Sequence, residues 1–178
     1  LLTAETTAEA IATQVAMVGA PIVQVVQHID AHAAAELAER LPHTRILQVV
    51  HVEDESALRL IERYSPFADA FLLDSGRPSA ARPELGGTGR AHDWRISRAF
   101  VQASPLPVFL AGGLRPDNVR DAIETVRPHG VDLCSGVRRA GRLDAARLAA
   151  FMSGVRAADA SLRSGATDPG APPGAPAR

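Results

Sequence analysis

The sequence predicts an α/β fold with a parallel β-sheet, built from repeated units of one β-strand followed by one α-helix. Five short apolar runs are predicted to be buried strands, and they begin at positions 22, 46, 71, 108 and 131. Three of the four spacings between these starts are 23 to 25 residues, which is enough for one strand, one helix and two short connections. Alanine-rich amphipathic stretches separate the runs, and this alternation is typical of parallel sheets covered by helices.

The predicted helices have recognisable start and stop residues. Thr6 to Glu9 has the pattern of a capping box for the first helix, and Gly19 is its predicted stop signal. The remaining predictions are a helix from Ala31 to Leu41 behind an Asp30 cap, one after Asp54, one opening near Asp93, one with Pro116 in its first turn, and a last helix from about Leu143 to Arg156.

The two ends of the chain set the expected number of units. Leu1 to Thr3 is predicted to be the end of a strand. With the five apolar runs it gives about six βα units, whereas a closed barrel has eight in ~250 residues. The predicted fold is therefore of the (β/α)8 TIM barrel family with only about six units in this chain, and an open sheet is the alternative. We expect a partial barrel domain at 1–158. A Pro/Gly/Ala-rich tail at 159–178 is expected to be disordered, because it has too few apolar side chains to offset the entropy of ordering.

Composition narrows the class of ligand. The formal net charge is -1, so no broad field favours nucleic acid or an anionic membrane, and a small molecule fits better as the partner. Cys134 is the only cysteine, which excludes an internal disulfide and a cysteine-based metal cage. No apolar run approaches the roughly 20 residues that span a bilayer. We expect a cytoplasmic protein with no cofactor and no metal site; the sequence leaves the oligomeric state open.

Two glycine-containing loops follow the last two predicted strands. Gly112 and Gly113 come after one strand, and Ser135 and Gly136 after the next. In parallel βα folds the ligand lies at the carboxyl ends of the strands. Glycine lets a phosphate approach the backbone, and amide N–H groups at a helix start favour an anion. Either pair alone could be a tight turn, but two on consecutive strands predict a phosphate site.

Asp74 ends the predicted strand that begins at Phe71. A carboxyl group at that depth is costly unless it is paired or used, and burial would favour the protonated form that a general acid needs. Asp74 is therefore the candidate catalytic residue; a helix cap or an arginine partner is the alternative. Asp132 has a similar position and could contact the ligand or a neighbour. His28 and His51 also lie at strand ends, where a lone histidine is more often a satisfied polar side chain.

A glycine-rich insertion runs from Ser75 to His92 and includes Gly87. Loops of this length in a compact domain are usually lids or binding loops. We expect this segment to form part of the ligand site, and a solvated surface loop is the alternative.

Taken together, these motifs resemble the phosphoribosylanthranilate isomerase family in order and spacing. The matching motifs all lie between residues 71 and 137, and upstream of residue 71 the likeness is mainly in the alternation of predicted strands and helices. The motifs that carry it are Phe71-Leu72-Leu73-Asp74-Ser75, Gly86-Gly87-Thr88-Gly89-Arg90 with Asp93-Trp94, Leu110-Ala111-Gly112-Gly113-Leu114 with Pro116 and Asn118-Val119, Val126-Arg127-Pro128, Gly130-Val131-Asp132, and Ser135-Gly136-Val137.

The resemblance implies an enzyme of tryptophan biosynthesis that performs an Amadori rearrangement without a cofactor. In this family a general acid aspartate opens the ribose ring of N-(5-phosphoribosyl)anthranilate, and a general base cysteine then takes the proton from C2′. The product is 1-(2-carboxyphenylamino)-1-deoxyribulose 5-phosphate. By motif position the resemblance implies Asp74 as the acid, Gly112, Gly113, Ser135 and Gly136 around the phosphate, Asp132 on the anthranilate side, and Gly87 at the rim.

The chain also departs from the family pattern. The family's base lies in a Lys-Ile-Cys-Gly type motif on the first strand, which does not occur here, so we expect this chain to begin around the third unit and to be inactive alone. Cys134 stands where the family usually has serine, and Arg138 stands where an acidic residue is common.

The alternative hypothesis is a non-catalytic or repurposed barrel relative that binds a sugar phosphate. Indole-glycerol-phosphate synthases and pentose-phosphate epimerases need lysine or metal ligands, and the absence of lysine and of a clear metal cluster disfavours both.

Overall fold

A computed structural model describes residues 1–76 and 92–165. Six parallel strands form one sheet in which each strand pairs with the next along the chain. The strands are β1 (Leu2–Thr3), β2 (Ile22–Val25), β3 (Arg45–His51), β4 (Ala70–Asp74), β5 (Val108–Leu110) and β6 (Gly130–Val131). The predicted α/β class and the six units are confirmed. Within the described residues β1 and β6 do not pair, so the sheet is not closed.

Helices connect successive strands, and a small hairpin follows the last one. The helices are α1 (Ala8–Val18), α2 (Ala31–Arg40), α3 (Arg59–Tyr64), α4 (Trp94–Ala103), α5 (Val119–Val126) and α6 (Ala145–Gly165), and one-turn 3-10 helices cover Glu55–Leu58 and Ser135–Val137. Strands β7 (Arg138–Arg139) and β8 (Arg142–Leu143) pair antiparallel as a hairpin apart from the main sheet.

Most of the predicted caps are confirmed, and one is shifted. Asp30 and Asp93 cap α2 and α4 through their side chains, and Gly19 ends α1 in the left-handed conformation. The capping box predicted to begin at Thr6 is wrong by one residue. Thr7 is the cap, because its hydroxyl accepts a hydrogen bond from the backbone N–H of Ala10.

The fifth helix begins later than predicted. Pro116 lies in a turn before α5, where the Arg115 N–H donates to Oδ1 of Asn118 at 2.8 Å. The helix itself begins at Val119, which is fully buried, so the side chains that anchor it to the core start there and not at the proline.

The last helix is longer than predicted. It continues to Gly165, because apolar side chains at helical spacing beyond Arg156 still reach the core. Ala158 is fully buried and Leu162 packs against the core cluster. The predicted domain boundary at residue 158 therefore falls inside α6. Residues 166–178 lie outside the described residues.

The alternation of side chains across the strands separates two apolar clusters. One cluster, which fills the space between the sheet and the helices, includes Ile46 and Val50 of β3. The other lies on the opposite face of the sheet and is smaller; its buried members are Val26, Val49, Leu72 and Ala111. This inner cluster lies beneath the carboxyl ends of the strands, where a ligand would bind.

We expect Phe100→Ala to lower the free energy of unfolding by about 3–5 kcal/mol, because it leaves a cavity in the core. The Phe100 ring is fully buried and packs edge-on against Phe71 with 5.2 Å between ring centroids. Urea unfolding measures the change. Met17→Ala, at a side chain that is 82% exposed, is the control and should stay within about 0.5 kcal/mol. Equal losses in both variants would contradict the position of the core.

Candidate active site

A cavity of about 330 Å³ opens at the carboxyl ends of the strands. Its floor is the inner apolar cluster, and polar and small residues from the strand ends form its rim. Asp74, Gly112, Gly113, Asp132 and Ser135 all line it, so the structure brings together candidates that are far apart in the sequence. The remaining lining residues are Leu2, Ala4, Gln24, Leu114, Leu133 and Cys134 together with the four floor residues.

Asp74 lies at the end of β4 and is half-buried. Its Oδ1 accepts a hydrogen bond from the backbone N–H of Ser75 at 2.7 Å, and the Ser75 hydroxyl lies 3.5 Å from the same oxygen. These contacts fix one carboxylate oxygen at the strand end. The carboxyl group is thereby held at the wall of the cavity, where it can reach a ligand.

The loop after β5 packs so tightly that it requires glycine. Gly112 has a φ of 81°, and a Cβ on it would lie 2.8 Å from both the backbone nitrogen and the hydroxyl of Ser75. The amide of Asn118 donates to the Gly113 carbonyl at 3.0 Å and holds the loop against the start of α5. The sequence reasoning assigned no such role to Asn118. An Asx residue just before a helix was the available signal.

The loop after β6 meets the loop after β5 at Gly136. A Cβ on Gly136 would collide with the carbonyl oxygen of Leu114, so no other residue fits without moving one of the loops. Ser135–Val137 form a one-turn 3-10 helix, and strand β7 follows it directly. The close packing brings the two predicted phosphate loops to the same side of the cavity.

Asp132 and Cys134 complete the rim on the β6 side. Both residues are exposed and line the cavity, and the Asp132 N–H donates to the Leu110 carbonyl at 2.9 Å. Gly87, the predicted rim residue of the glycine-rich insertion, lies outside the described residues.

The two histidines at strand ends do not line this cavity. His51 is buried, and its Nε2 lies 3.0 Å from the Val26 carbonyl oxygen. The His28 ring lies 5.5 Å from the His51 ring, centroid to centroid, and 6.4 Å from the Tyr64 ring. Although part of His28 is exposed, desolvation of the ring, followed by the charges of His51 and Arg63, lowers its pKa to about 4.

His92 lies just before α4, close enough to Asp74 for their charges to interact. Its Nε2 lies 2.6 Å from the hydroxyl of the fully buried Ser97, and its buried Nδ1 has no hydrogen-bond partner among the residues that the structure describes. Burial lowers the pKa of His92 to about 4, against the opposing effect of the Asp74 and Asp93 carboxylates. At neutral pH this imidazole is therefore uncharged.

In residues 1–76 and 92–165, no three or more His, Cys, Asp and Glu side chains come together as a metal site. No helix in these ranges is long and apolar enough to cross a membrane.

Comparison with known proteins decides the family. The family model described as N-(5'phosphoribosyl)anthranilate (PRA) isomerase matches residues 3–154. The chain belongs to the phosphoribosylanthranilate isomerase family. The N-(5'-phosphoribosyl)anthranilate isomerase of Halobacterium salinarum is 40% identical over 154 residues, which cover 86% of this chain and 68% of that protein.

Solved structures of the family agree with the fold. The phosphoribosyl anthranilate isomerase from Thermococcus kodakaraensis superposes with a TM-score of 0.68 at 33% identity, over 88% of this chain and 73% of that one. The Thermotoga maritima enzyme gives the same TM-score at 28% identity, over 88% and 71%. These relatives confirm that the chain has a fold of the TIM-barrel family, as predicted. Its sheet is not closed within the described residues.

The match covers only part of several relatives. The chain spans 49% of the Methanocella arvoryzae isomerase, to which it is 42% identical over 109 residues, covering 61% of this chain.

Burial of His92 gives a pH dependence with a definite sign. The pKa is about 4 in the folded protein and about 6.5 in the unfolded chain, so between these values the unfolded state binds the additional proton. We therefore expect the free energy of unfolding to fall as the pH drops from about 6.5 towards 4. In His92→Gln the slope over this range should be shallower, as measured by urea unfolding at several pH values. Identical slopes in both proteins would contradict the burial of a neutral imidazole.

Proposed function

We propose that the protein acts as a phosphoribosylanthranilate isomerase in tryptophan biosynthesis. The observation that carries the proposal is the meeting of the Asp74 carboxyl group and two glycine loops around one cavity with an apolar floor. Family membership supports the same reaction, the rearrangement of N-(5-phosphoribosyl)anthranilate to 1-(2-carboxyphenylamino)-1-deoxyribulose 5-phosphate.

In this proposal the phosphate lies between the two loops. Backbone N–H groups of Gly112, Gly113, Ser135 and Gly136 are the proposed donors. Successive backbone amides in tight loops form concavities that favour an anion, and here they are ordered before the substrate arrives. Tight packing of the loops at Gly136 supports this, because rigid donors lose little conformational freedom on binding.

Asp74 is the proposed general acid. Its carboxyl group gives a proton to the ring oxygen of the ribose, the C1′–O bond breaks, and the anthranilate nitrogen supplies the electron pair that forms the Schiff base. A base then removes the proton from C2′, and the resulting enolamine tautomerises to the ketone. The resemblance assigns no residue of this chain as that base.

The remaining groups of the site fit the other end of the substrate. We propose that Asp132 lies on the anthranilate side and that Gly87 shapes the rim. The near-zero net charge and the family support action on a free small molecule in the cytoplasm, without nucleic acid or membrane.

A second candidate function is binding of a sugar phosphate without isomerisation. It is favoured by two departures from the family pattern near the site, Cys134, which lines the cavity where the family usually has serine, and Arg138, which replaces an acidic residue. Both candidate functions require that the protein bind the sugar phosphate, but only the isomerase converts it to product.

We expect Asp74→Asn to lower kcat of the full-length protein by roughly 10²-fold, because the amide cannot supply the proton. Loss of the substrate's anthranilate fluorescence measures turnover. Asp121→Asn, at an exposed residue of α5 away from the cavity, is the matched control and should keep the wild-type rate.

Three outcomes separate the candidates. An unchanged rate in Asp74→Asn would remove this residue from the mechanism. Binding of the phosphorylated substrate by a full-length protein that shows no turnover would favour the non-catalytic function. Absence of both binding and turnover would overturn both candidates.

A further inference from the structure

A second cleft lies behind the loop that follows β6. It has a volume of about 550 Å³ and is bounded by the loop after β5 and by the start of α6. Three arginines line it, namely Arg115, Arg139 and Arg147, together with Asp117, Asp144 and Gly136. We call it the arginine cleft. None of these arginines lines the first cavity.

Positive charge is concentrated around this cleft. Residues 138–147 contain four arginines and one acidic residue, whereas the whole chain has a formal net charge of -1. All four arginines are exposed. The hairpin of β7 and β8, which carries three of them, therefore produces a local positive field on a protein that otherwise has slightly more acidic than basic groups.

The lining arginines are held in place by contacts that use only part of their hydrogen-bonding capacity. Nε of Arg115 lies 3.0 Å from Asp117, Nε of Arg139 lies 3.3 Å from Asp144, and Nη1 of Arg147 lies 3.3 Å from the Arg138 carbonyl oxygen. A guanidinium group has five N–H donors in a planar fork, so each retains donors that suit an oxyanion. The carboxylates orient the arginines while leaving the cleft with one excess positive charge.

One loop separates the arginine cleft from the first cavity. Ser135 lines the first cavity, and the next residue, Gly136, lines the cleft. Arg115 of the cleft also lies close to the first cavity, since its Nη1 is 3.5 Å from the carbonyl oxygen of Gly113, which lines that cavity. The two spaces are adjacent, but they present different donors: backbone amides in one and guanidinium groups in the other.

We propose that the arginine cleft is a second anion-binding site, for a small phosphorylated molecule, distinct from the proposed phosphate loops. Three guanidinium groups around one cleft match a dianion that offers several oxygens, because arginine recognises phosphate through paired N–H donors. The site goes beyond the proposed function and does not depend on it. Because the arginines are exposed, binding weakens as salt concentration rises.

Titration of the 178-residue chain with inorganic pyrophosphate, followed by NMR, tests the proposal. The Nε–H signals of Arg115, Arg139 and Arg147 report on the cleft, and the backbone amide signals of Gly112, Gly113 and Ser135 report on the first cavity. We expect the arginine signals to shift and saturate. In the double variant Arg139→Gln/Arg147→Gln, the Kd read from Arg115 should rise about tenfold or more, as expected for the loss of two charge-assisted contacts.

The matched control is Arg120→Gln/Arg156→Gln, which removes the same charge from exposed positions on α5 and α6 that do not line the cleft. It should change the Kd read from Arg115 by less than about twofold, because salt screens the interaction of these distant exposed charges with the bound anion. Arginine signals that do not saturate, or equal weakening in both double variants, would overturn the proposal. Saturation at the arginines with unchanged glycine amides would support the cleft and count against the phosphate loops of the proposed function.

Discussion

The close packing of two loops at Gly136 is the constraint on which the candidate site depends. No side chain fits there, because it would collide with the Leu114 carbonyl oxygen. A second close contact, between Gly112 and Ser75, ties the loop after β5 to the end of β4. Three neighbouring strand ends are thereby fixed relative to one another. This places the Asp74 carboxyl group and both glycine loops around one cavity, although the sequence separates them by some sixty residues.

Much of the fold could be predicted because its signals are local. Strand positions follow from apolar runs that must be buried on both faces, and the parallel order follows from their even spacing. The caps at Asp30 and Asp93 depend on one side chain and the backbone within one turn, so the sequence was sufficient for both. The candidate site could be located for a related reason: in parallel βα folds the strand ends that bind ligand are known once the strands are known.

Other features depend on contacts that no local pattern reveals. The end of α6 at Gly165 depends on Ala158 and Leu162 meeting the core, whereas the composition of residues 159–178 indicated a disordered tail. The choice of Thr7 over Thr6 as a cap is set by which hydroxyl meets the Ala10 N–H. His92 lies near Asp74 because α4 packs against β4 through Phe100 and Phe71, and the arginine cleft exists because the β7–β8 hairpin folds beside the start of α6.

We propose that the loops around Gly113 and Gly136 bind the phosphate of the substrate while Asp74 faces its ribose. The reduced form of the proposed product, 1-(2-carboxyphenylamino)-1-deoxyribulose 5-phosphate, is a suitable probe, because it keeps the phosphate and the carbon skeleton of that product. A crystal structure of this chain with the compound is the most direct test. We expect phosphate oxygens about 2.7–3.2 Å from backbone nitrogens of both loops, with the Asp74 carboxyl group facing the sugar. A phosphate bound elsewhere, with this cavity empty, would contradict it.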